Sequence, residues 1–292
     1  MLFAAVLLAL GTRFHDVKGH PLEKRVLGAD DSTAKENMYK ILNGEPAKPG
    51  EYPFAVSLEV AGQHFCGGTV VSQYWVVSAA HCFPTPNMRS LVQVRAGVTS
   101  QGRGGTLHHV DQVVSHPEYN EPSLYNNDIA LLKVKEPFTE AAVRPARLAD
   151  HRDLLDQGTD VVSAGWGITT KDGSGGPSPD LLEVSLTVVD RKKCNRLPGI
   201  SHLYEVGGLV VTENMICARA RDKDTTKGDS GGPLLRREGG DLVLVGVVSW
   251  GEGQGSWDSP GVYTDVAKYE KWIYWTTRED GAHTEPSFAA DE

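Results

Sequence analysis

The chain has 292 residues, 40% hydrophobic and 23% charged, a balance that supports a sizeable core and excludes a globally disordered protein. Its formal net charge of −9 argues against nucleic acid as a partner, because phosphate binding needs clustered Lys and Arg; basic peptides suit it better. Cys66, Cys82, Cys194 and Cys217 form no C-x-x-C pair and no zinc-like spacing with histidine, so two disulfides, and with them an oxidising compartment, are the simplest reading.

In chain order, Leu2 to Leu10, "LFAAVLLAL", is an unbroken apolar run that no Lys or Arg precedes. It is too short to span a bilayer, and Ala9-Leu10-Gly11 supplies a small-x-small cleavage pattern. Residues 1–11 therefore read as a signal peptide and the product as secreted, the alternative being a short buried segment. Residues 12–40 are polar, lack cysteine and show no period, as a pro-segment would. From Ile41 the texture becomes short apolar or alternating runs: "FAVSLEV", "GTVVSQYWVVSAA", "SLVQVRAG", "VDQVVSH", "IALLKV", "DVVSAGWG", "LLEVSLTVV", "DLVLVGVVSWG" and "GVYTDV". Gly, Pro, Asn and Asp bound each run, the pattern of an all-β sandwich or barrel. The Gly-, Ser- and Pro-rich stretch Lys171 to Asp180 is expected to be the most flexible internal loop. One helix is expected over Asp265 to Thr277, with Val266, Tyr269, Trp272 or Ile273, and Thr276 on its inner face. The polar, acidic stretch 278–292 reads as a disordered tail. No later segment reaches membrane-spanning length.

Three fragments bear on chemistry. "SAAHC" puts His81 beside a cysteine, "NNDIALLKV" puts Asp128 at the mouth of an apolar strand, and "KGDSGGP" puts Ser230 among glycines. Each alone reads equally well as a turn or a structural residue. Their chain order, His81, Asp128, Ser230 in an all-β chain, matches one arrangement of the Ser-His-Asp triad among several.

With these residues in place the sequence resembles the trypsin and chymotrypsin family of serine proteases over Ile41 to Thr277. The fragments "ILNGEPAKPGEYPFAVSL", "CGGTVVSQYWVVSAAHC", "DIALL", "AGWG", "GDSGGPL", "VSWG" and "PGVYTDV" all fall in register. The resemblance implies two packed six-stranded antiparallel β-barrels with a C-terminal α-helix. It implies His81 as general base, Asp128 holding the imidazole, Ser230 as nucleophile, Ser249 supporting Asp128, and an oxyanion hole from the N–H groups of Gly228 and Ser230. Asp224, six residues before Ser230, becomes the floor of the primary specificity pocket, with Thr225 beside it, Gly251 and Gly261 as walls, and Ser249, Trp250 and Gly251 as the edge that pairs with extended substrate. The implied activity is endopeptidase cleavage after Lys or Arg. Cleavage after Lys40 would free the Ile41 amine to pair with Asp229, so the full chain would be a zymogen, able in principle to be activated by its own product.

The implied disulfides are Cys66–Cys82 and Cys194–Cys217. A further bridge common in the family, between the two pocket walls, is missing: its positions hold Thr226 and, approximately, Gln254, which should leave the pocket more mobile. Lys227 stands beside the oxyanion glycine, where a neutral residue is usual, and suggests a preference for acidic groups near the scissile bond. No cofactor and no metal are expected, since "GVTSQGRGGTLHHV" lacks carboxylates suited to a calcium loop and Pro260 argues against a sodium site. Expected partners are protein or peptide substrates and protein protease inhibitors, with no nucleic acid or membrane, and the chain is expected to be monomeric. A catalytically silent homologue acting as a binding or inhibitory protein is the alternative, though none of the three triad positions is substituted.

Overall fold

The computed structural model describes residues 43–170, 174–251 and 255–278, and among the described residues thirteen antiparallel strands and one short parallel strand build the protein. The expected signal peptide and pro-segment, Lys40, Ile41, Gln254 and the tail beyond 278 lie outside the described residues. Among the described residues, no helix is long and apolar enough to cross a membrane.

The first barrel closes in the order β2 (Ala55–Val60), β3 (Gln63–Val70), β4 (Trp75–Ser78), β7 (Ala130–Val134), β6 (Thr106–Ser115) and β5 (Val92–Ala96). β5 alternates buried and half-buried positions while β2, β4 and β7 are buried almost throughout, and Leu58, Val70, Val76, Val94, Leu131 and Leu132 are fully buried in the core. The second barrel contains β9 (Asp160–Gly165), β10 (Leu182–Val189), β11 (Met215–Arg219), β12 (Pro233–Glu238), β13 (Asp241–Trp250) and β14 (Gly261–Asp265). It runs β10-β11-β14-β13-β12-β9 and closes where β9 pairs back onto β10. Two short strands add to it, β1 (Glu45–Pro46) on β10 and the parallel β8 (Arg147–Leu148) on β13. Closure removes the unpaired edges that an open sheet of this size would leave. Two six-stranded antiparallel barrels were expected, and two are found.

The sequence runs map onto strands with instructive exceptions. "GTVVSQYWVVSAA" is two strands, because the chain reverses at 71–74 and the N–H groups of both Val71 and Ser72 donate to Trp75 O. β11 and β12 were not anticipated, nor were α1 (Arg191–Cys194) and α2 (Pro198–Gly207). The signals for α2 are present in the sequence: Pro198 opens it and Gly208 caps it in the left-handed conformation at φ 68°. Of the loop expected to be flexible, 171–173 lie outside the described residues, while Pro177 and Asp180 form isolated bridges to Ile168 and Ser100.

The C-terminal helix is present but begins as a 3-10 turn, Val266–Tyr269, capped by the Asp265 carboxylate at Ala267 N, before α3 (Glu270–Thr277). That tighter first turn shifts the inner face. Val266, Tyr269, Ile273 and Thr277 are buried, so Thr277 replaces the expected Thr276 and Ile273 prevails over Trp272. The two disulfides join Cys66 to Cys82 and Cys194 to Cys217, the pairing that the resemblance implies.

Candidate active site

His81 lies in a 3-10 turn that follows β4, where the disulfide from Cys82 to Cys66 ties the turn to β3. Asp128 immediately precedes the apolar run into β7, fully buried, and orients the histidine twice. Its Oδ1 accepts from His81 N at 2.9 Å and its Oδ2 meets His81 Nδ1 at 2.7 Å. The Ser249 hydroxyl donates to the same Oδ2 at 2.5 Å. With Nδ1–H committed to the carboxylate, Nε2 is left as the basic nitrogen, and the half-buried ring keeps one edge accessible.

Asp128 is held from behind by residues the sequence reading did not pick out. Asn127, at φ 55°, donates from Nδ2 to the carbonyls of Glu118 and Glu121, and its Oδ1 accepts from Tyr269 OH at 2.8 Å. Thr264 Oγ1 donates to Asp128 O at 2.7 Å. The asparagine before the aspartate was a legible signal, because Asn tolerates a left-handed backbone and caps its own turn.

Ser230 belongs to the turn before β12, in the second barrel. Gly67 links it to the histidine's segment: Gly67 N–H donates to Ser230 O at 2.7 Å, and Gly67 O accepts from the hydroxyl of Ser78, three residues before His81, at 2.9 Å. The site residues are thus gathered from both barrels. No hydrogen bond joins the Ser230 hydroxyl to His81, a spacing common before substrate draws such pairs together.

The main chain around Ser230 alternates. Lys227 O accepts from Ile168 N at 2.8 Å, and Asp229 O accepts from Gly232 N at 2.8 Å. In a trans peptide the N–H points opposite to the carbonyl, so the N–H groups of Gly228 and Ser230 face the other way. Among the described residues neither has a hydrogen-bond partner, whereas the N–H groups of Asp229, Gly231 and Gly232 all do. Two unpaired backbone donors of this kind are what a receptor for a negative oxygen requires. Gly228 adopts φ 98°, a conformation that would strain any other residue.

His64 is another residue the sequence reading missed. Its Nε2 lies 2.9 Å from Gly228 O and its Nδ1 lies 2.9 Å from Ser57 Oγ, so the ring donates to the carbonyl and accepts from the serine. Burial pushes its pKa down and keeps it neutral. Nothing in the local sequence marks it, because its partner is 164 residues away.

Asp229 points inward, fully buried, accepting from Gly167 N and Thr226 N at 2.8 Å each. Burial raises its pKa to about 6, against the pull of these hydrogen bonds. No described cation pairs with it.

Beside Ser230 opens a cavity of about 120 Å³ lined by Thr225, Thr226, Lys227, Ser230, Ser249 and Gly251 among others. Its walls are glycines of necessity: a Cβ on Gly251 would stand 3.3 Å from Gly261 Cα, and one on Gly261 would stand 3.1 Å from Asp224 Oδ1. Asp224 is 2% exposed, and its carboxylate accepts from Thr225 N and Gly255 N. The Thr225 hydroxyl is 3.1 Å from the buried phenol of Tyr263, a wall residue not anticipated. Trp250 and Tyr125 approach with ring centroids 6.5 Å apart, and Tyr125 meets His81 edge-on at 5.8 Å. A wider cleft of about 600 Å³, lined by His151, Asp156, Asp190, Glu213 and Lys268 among others, holds none of the expected catalytic or substrate-binding residues.

The Cys66 and Cys82 sulfurs approach His81 closely enough to suggest an ion site, but they are spent on each other. Comparison with known proteins agrees with this geometry. The family model described as Trypsin matches residues 41–273. The curated protein "Trypsin epsilon" of Drosophila erecta is 39% identical over 242 residues, covering 82% of this chain and 88% of that protein. Match, identity and double-barrel fold together place this chain in the trypsin family of serine proteases.

Proposed function

We propose that the protein is a secreted endopeptidase, made as an inactive precursor, that cleaves peptide bonds after Lys or Arg by acyl transfer to Ser230. The observation that supports the specificity is the Asp224 carboxylate, buried close to Gly261, a wall of the cavity that opens at Ser230. A carboxylate close behind the cavity wall attracts a cationic side chain that enters the cavity, and Lys and Arg carry that charge at the end of a stem long enough to reach it.

In this reading His81 Nε2 takes the Ser230 proton as Oγ bonds to the scissile carbonyl carbon. The carbonyl π electrons move onto oxygen, which the N–H groups of Gly228 and Ser230 receive. Collapse breaks the C–N bond, and His81 returns its proton to the leaving amine. Water then attacks the acyl-enzyme by the same route, regenerating Ser230. The edge at Ser249–Gly251 aligns the substrate backbone as an added strand. Secretion is supported by the apolar N-terminal run and the two disulfides.

Fluorophosphonate labelling after cleavage at Lys40, combined with a peptide library, tests the whole reading. Labelling of Ser230 and turnover confined to Lys or Arg peptides are expected. A chain that folds but neither labels nor turns over would be the silent binding homologue instead.

Precursor activation predicts a titration. In the uncleaved chain the Asp229 carboxyl should titrate near 6, above the ordinary value of 3.8. A raised carboxyl pKa means the folded state takes up a proton before the unfolded one does. Asp229 therefore subtracts stability as pH rises from 3.8 through about 6. After cleavage, the Ile41 ammonium should draw the Asp229 pKa downward. Carbon-13 NMR of the carboxyl reads both states; the same midpoint before and after cleavage would refute the pairing.

A further inference from the structure

Among the described residues, the segment that carries Asp224 and the loop that leads into Gly261 meet through backbone hydrogen bonds and through a side-chain stack. Asp222 N–H donates to Gly255 O at 3.1 Å, and Gly255 N–H donates to Asp224 Oδ2 at 3.3 Å. The stack is of a different kind. Arg219 donates from Nη1 to Trp257 O while its guanidinium lies 3.9 Å over the Trp257 ring. A second guanidinium, that of Arg221, lies 6.0 Å from the same ring.

The two ends of this contact differ in rigidity. Arg219 is the last residue of β11, which is paired to β14 and β10 and stapled at Cys217 to Cys194. Trp257 belongs to irregular chain and is 50% exposed, so its ring is not fixed by burial. Covalent support through Thr226 is absent, since that residue turns its hydroxyl to Ile168 O at 2.5 Å.

We propose that Arg219 and Trp257 are positioning residues for the primary specificity pocket, a noncovalent brace holding the 255–260 loop against the segment that bears Asp224. This rests on the Lys/Arg reading of the pocket. The planar guanidinium suits the task because it stacks on the indole and donates in the same pose, which an ammonium cannot do. Releasing the brace frees the loop at Gly255, whose N–H holds Asp224, and along its course to Gly261, where β14 begins and pairs with β11.

The test uses activated full-length protein and benzamidine, a small cation that fills only the pocket. Arg219→Ala and Trp257→Ala are each expected to weaken benzamidine binding and raise KM for a Lys peptide by about tenfold, with kcat changed far less. The rate of Ser230 labelling by a small fluorophosphonate should stay unchanged. Trp257→Phe, which keeps a ring, should recover most of the affinity, and Arg219→Lys should recover less. Alanine variants that bind benzamidine as tightly as wild type would overturn the brace. So would a parallel loss of labelling, binding and thermal stability in both, which marks a merely structural role. Wild-type protein that labels but ignores benzamidine would instead overturn the Lys/Arg reading of the pocket.

Discussion

Replacing Asp128 with asparagine should lower kcat by about 10⁴-fold while leaving the fold and KM nearly intact; the magnitude is that of the equivalent change in the family's reference proteases rather than a value calculated from these distances. The direction does follow from the geometry. Asp128 Oδ2 receives both His81 Nδ1–H and the Ser249 hydroxyl, and Oδ1 receives His81 N. An amide can retain the outline of this network but turns one acceptor into a donor. The histidine then accepts at Nδ1 and carries its proton on Nε2, where it can no longer deprotonate Ser230. Single-turnover kinetics with an ester substrate would read the loss, and partial recovery at alkaline pH would accompany it. Wild-type turnover in the Asp128→Asn protein would remove Asp128 from the reaction.

Asp224→Ser is the second large effect. On the proposed reading Asp224 offers a negative charge to an incoming cation, and the variant would offer a hydroxyl that cannot compensate desolvation of a guanidinium or ammonium. A fall of about 10⁴-fold in kcat/KM for Lys and Arg peptides is expected, with small apolar residues gaining relative to them. Because Asp224 accepts from Thr225 N and Gly255 N, the variant also leaves those donors without their acceptor, so thermal unfolding should be measured alongside. Unaltered preference in a folded variant would place the cation-selecting group elsewhere.

Much of the architecture was legible because barrel strands write themselves as short alternating runs between turn residues. Where it was not legible, the causes are specific. In "KGDSGGPLLRREGG" the glycines and charges drew attention to the turn and hid the six-residue β12 that follows it. "MICAR" is only five residues long, with four of them buried, so it offers no alternation to count. The phase of α3 depended on a 3-10 first turn that an ideal helical period does not contain.

The site divides along a similar line. His81, Asp128 and Ser230 stand in local patterns that can be recognised along the chain. His64 and Tyr263 act on residues from other segments, and their neighbourhoods in sequence carry little trace of it. His64 reaches Gly228 only after both barrels have closed. Asp229 shows the same dependence on folding: a carboxyl that is ordinary in the unfolded chain acquires a pKa of about 6 through burial.

The alternating peptides at 227–230 carry one more implication. Both free donors belong to the polypeptide scaffold, so no exchange of one amino acid for another deletes them, apart from proline. If these donors receive developing charge as proposed, an alanine scan would pass over them, and chemical synthesis with an ester link in place of either amide would be needed to expose them. Variation among side chains can then adjust which substrates enter and how protons move, while charge reception stays a property of how the chain is bent.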